Sequence, residues 1–352
     1  MRVSGPDLSK FIAELVAAHG ADEDQASATA RHLVWCEMVG RTNFGIERLP
    51  ILFKRMKAGV LDGRCVMAFE KVAPAIERLD GGGGFGFAAG ERAMARACDI
   101  AGAQGIGVVG VRNSNFFGAG AYYVNIAASR SMIGLALSNS FPKVVAHGGM
   151  KPVLGTNPFA FGAPRKNGDH LLFDMATSAL AGSTVREHMV SGKPLPEGLA
   201  IDSEGRPVTD VAKVGDGALL PFGGAKGFGL SLLVEILAGV ITGAGVGDGV
   251  ASMYNDFARS GGNGHFMLAL DVGRWMSMDD YHARFEGLIA AIKASGESVL
   301  LPGEVRWQNY RDSMADGIAI APARWSEMVK TAGELGIAAP LAKALLSNMN
   351  SD

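Results

Sequence analysis

Cysteine is scarce in this chain. Only Cys36, Cys65 and Cys98 occur in 352 residues, widely spaced and odd in number. That excludes a disulfide framework and a CxxC metal or redox motif, and a reducing, cytoplasmic setting is the simplest expectation. Charge of one sign is also lacking, with 33 Lys and Arg against 35 Asp and Glu. Bulk charge therefore gives no reason to expect nucleic acid or an anionic membrane as a partner. The longest apolar stretch, residues 227–245, is interrupted by Glu235 and several glycines, so a buried helix is expected there rather than a membrane span. The first residues, MRVSGPDLSKFIAEL, carry Asp7, Lys10 and Glu14 without an apolar core, so no signal peptide is expected. The seven histidines form no HExxH and no paired spacing, so no metal centre is expected, and no GxSxG occurs.

Glycine is what the chain has in excess. There are 49 glycines, roughly twice the usual share, yet with 14 prolines the total stays below the ~25–30% of low-complexity chains. Tight turns and close backbone approaches, as a cofactor site requires, are the expected use. With 48% apolar and 19% charged residues the composition is globular. The length suggests about two domains, or one large interleaved one.

Apolar residues at helical spacing (Phe11, Ile12, Leu15, Val16) predict a first helix ending near His19-Gly20. Further helices are expected over 22–38 and 49–58. From about Cys65 the pattern changes. Strand-like runs at 73–79, 106–111, 133–138 and 171–174 alternate with helical ones at 87–103, 120–129 and 228–241, which indicates an α/β arrangement. Residues 190–225 read as a long irregular excursion rich in Gly, Pro and Asp. A strand at 265–271 and amphipathic helices at 281–294 and 325–335 follow.

Four motifs suggest chemistry. Residues 81–86, GGGGFG, satisfy G-x-G-x-x-G between a strand and a helix. A four-glycine run matches that pattern almost for free, and Asp99, the nearest ribose candidate, falls inside the predicted helix, so a glycine turn is the simpler reading. Residues 113–118, NSNFFG, lie where a strand passes into a helix, which suits a ligand cleft or a helix cap by Asn113 or Ser114. Residues 173–178, FDMATS, place an Asp and two hydroxyls at a predicted helix start, suited to an anion or to simple capping by Asp174 or Ser178. Residues 223–229, GGAKGFG, hold Lys226 at the start of the most apolar helix, where it can meet a phosphate or carboxylate.

In their order and wording these motifs resemble the malate/L-lactate dehydrogenase type 2 family. That family includes ureidoglycolate, sulfolactate and diketogulonate oxidoreductases and the Δ1-piperideine-2-carboxylate/Δ1-pyrroline-2-carboxylate reductases. RLP at 48–50, NSNFFG, LGTNPFAFGAP at 154–164, FDMATS, PEG at 196–198, GALLPFGGAKGFGLSLLVEILAG at 217–239, GHF at 264–266 and PGE at 302–304 carry the likeness. It implies NAD or NADP as cofactor, and hydride transfer on small 2-oxo, 2-hydroxy or imino acids. It implies an α/β fold whose nicotinamide-binding part is not Rossmann. This is a mixed-sheet domain over 73–304, with the excursion at about 190–225, beside a helical domain from 1–72 and 305–352. Cofactor contacts are implied at Asp174, Met175, Ala176, Thr177, Ser178 and Ala179, at Ala225 and Lys226, and at Pro302, Gly303 and Glu304. Arg48 matches an arginine suited to a substrate carboxylate. Asn43, Asn115 and Ser140 join it as candidate substrate contacts. A homodimer with the active site near the subunit boundary is implied.

The departures bear on chemistry. The family usually reads G-H-x-S-H-G before x-x-R-L-P; this chain reads GRTNFG at 40–45. Phe44 and Phe116 stand where the family has its two catalytic imidazoles, and phenyl rings cannot move a proton. Gly182-Ser183-Thr184 replaces an Arg-Gly-Lys segment. Three readings follow. The first is an oxidoreductase whose substrate is an imine, which needs no acid from the protein. The second is a 2-hydroxy-acid dehydrogenase with a replacement acid from Lys143, His147 or Tyr122. The third is an inactive nucleotide-binding homologue.

Overall fold

A computed structural model describes residues 1–180, 184–185, 188, 191–214 and 217–340. Gly182 and Ser183 lie outside the described residues, as does the end of the C-terminal segment, 341–352.

The chain opens with three helices, α1 (Gly5–Ala18), α2 (Glu23–Met38) and α3 (Leu49–Lys57). The first two start on side-chain caps. Ser4 accepts the Asp7 N–H at 3.2 Å, and Asp22 accepts the Gln25 N–H at 2.8 Å, each relieving a donor that the helix leaves unpaired. The apolar face of α1 (Leu8, Phe11, Ile12, Leu15) packs with Leu33 and with Trp325 and Met328 of the late helix Pro322–Glu334. Phe85, Phe87 and Ala88, at the start of α4 (Gly86–Gln104), close this core.

The main sheet runs Ala68–Ala73, Ile76–Asp80, Ile106–Ser114, Asn263–Asp271, Met132–Ser138, Phe159–Ala163 and Leu171–Met175. Only the second and third strands pair in parallel, joined through α4; every other pairing is antiparallel. A Rossmann sheet is parallel throughout its binding half, so this one is of another kind. Helix α5 (Gly120–Ala128) lies beside α4 over one face, on Leu79, Val109, Val111, Ala136 and Met267. Val234 and Ala238 cover Leu137 and Phe266 on the other. A second, four-stranded sheet joins Ala200–Ile201, Ala218–Leu219, Val144–Val145 and Pro152–Leu154. Among the described residues no helix is long and apolar enough to cross a membrane.

Three sequence expectations need correction. The strand expected at 73–79 is a hairpin, Ala68–Ala73 and Ile76–Asp80, broken at Pro74, which has no N–H for the ladder. Residues 68–72, expected in the helical part, are therefore a sheet edge. The helix expected at 228–241 starts earlier, over Ala225–Glu235, and widens into a π-helical turn over Ile236–Val240. No helix starts over 176–180: Ser178 bridges Pro221, and the Ala179 N–H donates to the Leu220 carbonyl.

The glycine run 81–86 is a packing device. A Cβ on Gly86 would lie 2.2 Å from the Asn115 carbonyl oxygen, so only glycine lets α4 start against that segment.

Candidate active site

The turn between α2 and α3 organises the site. Gly40 (φ +73°) lets the chain leave α2, and a Cβ there would collide with the Asn309 amide 2.3 Å away. Two short 3-10 turns, Thr42–Phe44 and Ile46–Arg48, then lead into α3. Glu37 sits beneath them and accepts the Ile46 N–H at 2.8 Å. Burial pushes this carboxyl up to about 7; the Ile46 N–H works against the rise, Glu47 adds to it and Arg324 opposes it.

On one side of this turn the structure gathers aromatic rings. Phe44 and Phe116 lie 6.2 Å apart and 11° from parallel, and Phe87 meets Phe116 edge-on at 6.0 Å. The buried Arg48 places its guanidinium carbon 6.0 Å from the Phe116 ring centre. Its Nε donates to the Asn43 carbonyl at 2.6 Å and one terminal nitrogen donates to the Tyr254 hydroxyl at 2.8 Å. Asn43 thus meets Arg48 through its backbone. Tyr254 packs edge-on against Phe141 at 6.1 Å, and Lys143 sets its ammonium 5.5 Å from the Phe141 ring centre. The loop bearing Tyr254 is tied down by the buried Arg55, which donates to the Asp256 carbonyl at 2.7 Å.

On the other side lies a cleft of about 460 Å³. Arg41, Asp174, Pro302, Gly303, Arg306 and Asn309 are among its walls. Asp174 is half-buried in the cleft wall, and loss of water around its carboxyl pushes it up, while Arg306, the Ala121 N–H, Arg41 and the Gly120 N–H pull it down. The Ala121 N–H donates to it at 3.0 Å, so Asp174 holds the start of α5 rather than capping a helix of its own. The imidazole of His32 accepts the N–H of Ala119, the residue just ahead of α5. This also displaces the cap expected from Asn113 or Ser114. Asn113 instead donates to Asp80, and Ser114 bonds His265.

The FDMATS segment is stitched between two loops. The Thr177 N–H and hydroxyl donate to the Thr156 and Asn157 carbonyls, and the Phe222 N–H donates to the Thr177 carbonyl. Ser140, whose hydroxyl lies 3.3 Å from that of Thr156, borders the same region. Beyond Phe222, a Cβ on Gly224 would lie 3.5 Å from the His147 ring, so His147 flanks the loop that carries Ala225 and Lys226. Lys226 and His147 are exposed.

Three expected site residues stand elsewhere. The Asn115 amide donates to the Gly83 and Gly84 carbonyls and accepts the Gly261 N–H, so it joins three backbone segments and is not turned to a ligand. Tyr122 donates to Glu91 at 2.7 Å and packs on His32 and Trp35; burial and the adjacent carboxylate push its phenol up, the reverse of a ready acid. Glu304 accepts from Lys293 at 2.6 Å and from the Leu301 N–H, which fixes the turn at Pro302-Gly303 without lining the cleft. Sequence reasoning missed Tyr254, Phe141 and Arg306. Arg306 has a signal, lying two residues past PGE; Tyr254 and Phe141 have none.

A buried imidazole supports the floor. His265 lies between the Ser138 and Ser114 hydroxyls at 2.9 Å each and stacks on Phe117. Burial lowers it to about 3, so it is a neutral strut between strands.

Comparison with known proteins agrees with this architecture. The family described as malate/L-lactate dehydrogenase matches residues 3–329. The chain is 34% identical over 337 residues to L-sulfolactate dehydrogenase of Methanothermobacter thermautotrophicus, covering 96% of this chain and 98% of that protein. It is 33% identical over 332 residues to the Δ1-pyrroline-2-carboxylate/Δ1-piperideine-2-carboxylate reductase of Pseudomonas syringae pv. tomato, covering 94% and 96%. The solved sulfolactate dehydrogenase of Methanocaldococcus jannaschii superimposes with a TM-score of 0.87 at 32% identity, covering 96% and 98% of the two chains. The chain belongs to the malate/L-lactate dehydrogenase family and is one of its oxidoreductases.

Proposed function

We propose that this enzyme reduces small cyclic or N-alkyl imino acids, using NAD(P)H. The observation that carries the reading is the pair of near-parallel rings, Phe44 and Phe116, beside Arg48. Reducing a ketone leaves an alkoxide, and a positioned acid that quenches it is typically worth about 10²–10⁴-fold in rate. Phenyl rings supply none. An imine can be protonated before it binds, and hydride addition to the iminium gives a neutral amine directly. Ring faces also favour the cation, by roughly 0.5–2 kcal/mol. Arg48 pairs with the substrate carboxylate and orients it.

The cleft walled by Asp174, Pro302 and Gly303 fits a dinucleotide, being concave, of suitable volume and equipped with cations. Residues 174–179 and Lys226 would hold the remainder of the cofactor, whose nicotinamide supplies the hydride when bound. We further propose a homodimer. Leu232, Leu233, Ile236, Val240 and Ile241 form a ridge without charge, each between 41% and 55% exposed, and a second copy would cover it. Light scattering at micromolar concentration should give twice the chain mass.

The main test is a side-by-side assay with NADH and NADPH. One arm holds Δ1-pyrroline-2-carboxylate, Δ1-piperideine-2-carboxylate and pyruvate with methylamine; the other holds pyruvate or oxaloacetate alone. Faster turnover in the first arm is expected, and faster turnover of the plain oxo acids would overturn the reading. That result would favour a 2-hydroxy-acid dehydrogenase with Lys143, beside Phe141, as the replacement acid. Cofactor binding without turnover in either arm would mark an inactive homologue.

A further inference from the structure

The cleft beside Asp174 is unbalanced in charge. Arg41 and Arg306 both line it, against the single carboxylate of Asp174. That carboxylate is already engaged by the first N–H groups of α5. Arg306 donates from one terminal nitrogen to the Leu172 carbonyl at 2.7 Å, yet its Nε is buried with no hydrogen-bond partner. Burial disfavours its charge, Arg41 disfavours it further, and Asp174 supports it. The Arg306 Nε is closed off from the cleft, so a ligand there meets the terminal nitrogens. Two guanidiniums lining one cleft, beside a carboxylate that is already engaged, call for an anion with several acceptor oxygens.

The backbone supports the same conclusion. Gly303 (φ +102°) caps the helix Glu304–Asp316 with no side-chain acceptor at its start, so that helix presents its positive end at the cleft. A Cβ on Gly303 would come within 3.0 Å of the Leu172 nitrogen, so the turn closes on the strand only as glycine. The backbone that carries Arg41 is fixed, because its N–H donates to the Cys36 carbonyl at 2.7 Å and the Asn309 amide donates to the Val39 carbonyl at 3.3 Å. The substrate carboxylate has Arg48 on the opposite side of the turn, which leaves this pair for another group.

We propose that Arg41 and Arg306 clamp a phosphate group of the nicotinamide dinucleotide in this cleft. The inference rests on the preceding reading that the cofactor lies along Asp174 and Pro302-Gly303. The group is either the pyrophosphate common to both cofactors or the 2′-phosphate of NADP(H), and the cofactors themselves distinguish these.

The test is fluorescence titration of wild type, Arg41→Gln and Arg306→Lys with NADH and with NADPH, each variant first shown to be folded by its melting curve. Arg41→Gln should raise Kd by about tenfold or more, the scale of one lost charge-assisted hydrogen bond. A rise for both cofactors assigns the pyrophosphate; a rise for NADPH alone assigns the 2′-phosphate. Arg306→Lys keeps the charge, loses the planar fork and should show a smaller rise of the same pattern. If Arg306→Lys fails to fold, exposed Arg41 decides alone. Kd values within about twofold of wild type for both cofactors, with wild type binding normally, would overturn this clamp and leave the proposed activity standing. Wild type binding neither cofactor would overturn both.

Discussion

The turn from Gly40 to Arg48 divides two unlike neighbourhoods. On the Phe44 side, rings surround a single buried arginine, which is hydrogen-bonded by the Asn43 carbonyl and the Tyr254 hydroxyl. On the Arg41 side, two guanidiniums and one carboxylate stand in an open cleft whose other walls, Leu172, Phe173, Leu300, Leu301 and Val305 among them, are apolar. Two residues separate Arg41 from Phe44, so on the proposed function one short segment serves a site for a planar, positively charged organic group and a site for an anion. On the proposed function, the contrast explains how two imidazoles can be lost without losing the activity. The aromatic side then needs shape and a carboxylate anchor, while the charged side is built from different residues.

Removing the anchor is the most severe way to test the contrast. Arg48→Ala should lower kcat/KM by about 10²-fold or more, and Arg48→Lys should recover little, since an ammonium cannot reproduce the fork. Retained kcat/KM in Arg48→Ala would mean that the carboxylate sits elsewhere. Restoring an imidazole sharpens the comparison. Phe44→His should raise the ratio of oxo-acid to imino-acid turnover by about tenfold or more, because a positioned acid now serves the alkoxide. An unmoved ratio would leave the rings as filler. Lys226→Ala probes the far end of the cofactor path and should weaken NAD(P)H binding by roughly three- to tenfold, as loss of a cation at a helix start that meets phosphate.

The turn itself can be probed through Glu37. Its carboxyl is raised from 4.5 to about 7 in the fold, so the folded state holds the proton more tightly than the unfolded chain. Its contribution to stability is full below about pH 4.5 and is lost as pH rises through about 7. Glu37→Gln keeps a neutral acceptor for the Ile46 N–H, so its melting temperature should fall less than that of wild type between pH 5 and pH 8. Parallel melting profiles would contradict this. The smallest effect belongs to Tyr122→Phe. With its hydroxyl committed to Glu91, kcat/KM should stay within about twofold, and a large loss would place Tyr122 in the chemistry after all.

How much of this was readable beforehand depends on distance along the chain. Arg48, the FDMATS segment and GGAKG are contiguous words that stand out as candidate site residues in the sequence, and the structure keeps 174–179 beside the loops at 156–157 and 220–222. Asn115 and Tyr122 looked like ligands for the same local reason, being polar residues near a strand-to-helix junction. Their partners, Gly83, Gly261 and Glu91, come from other segments, and only folding reveals that their hydrogen bonds are already made. Tyr254 reaches Arg48 across 206 residues, which no spacing rule anticipates. The hairpin at 68–80 was blurred because a single proline interrupts what reads as one continuous run.

The carboxylate of Asp174 belongs to both neighbourhoods at once. It forms part of the charged cleft, and it also receives the first N–H groups of α5. Phe116 and Phe117 lie only a few residues ahead of that helix start, with the phenol of Tyr123 closing back on the Phe117 carbonyl. An anion arriving beside Asp174 changes the electrostatic load on the carboxylate, and so changes how firmly the helix and the rings preceding it are anchored. Occupancy of the two sides is then thermodynamically linked. On the proposed function, whatever factor the cofactor adds to the affinity for the imino acid, the imino acid must return to the cofactor in equal measure.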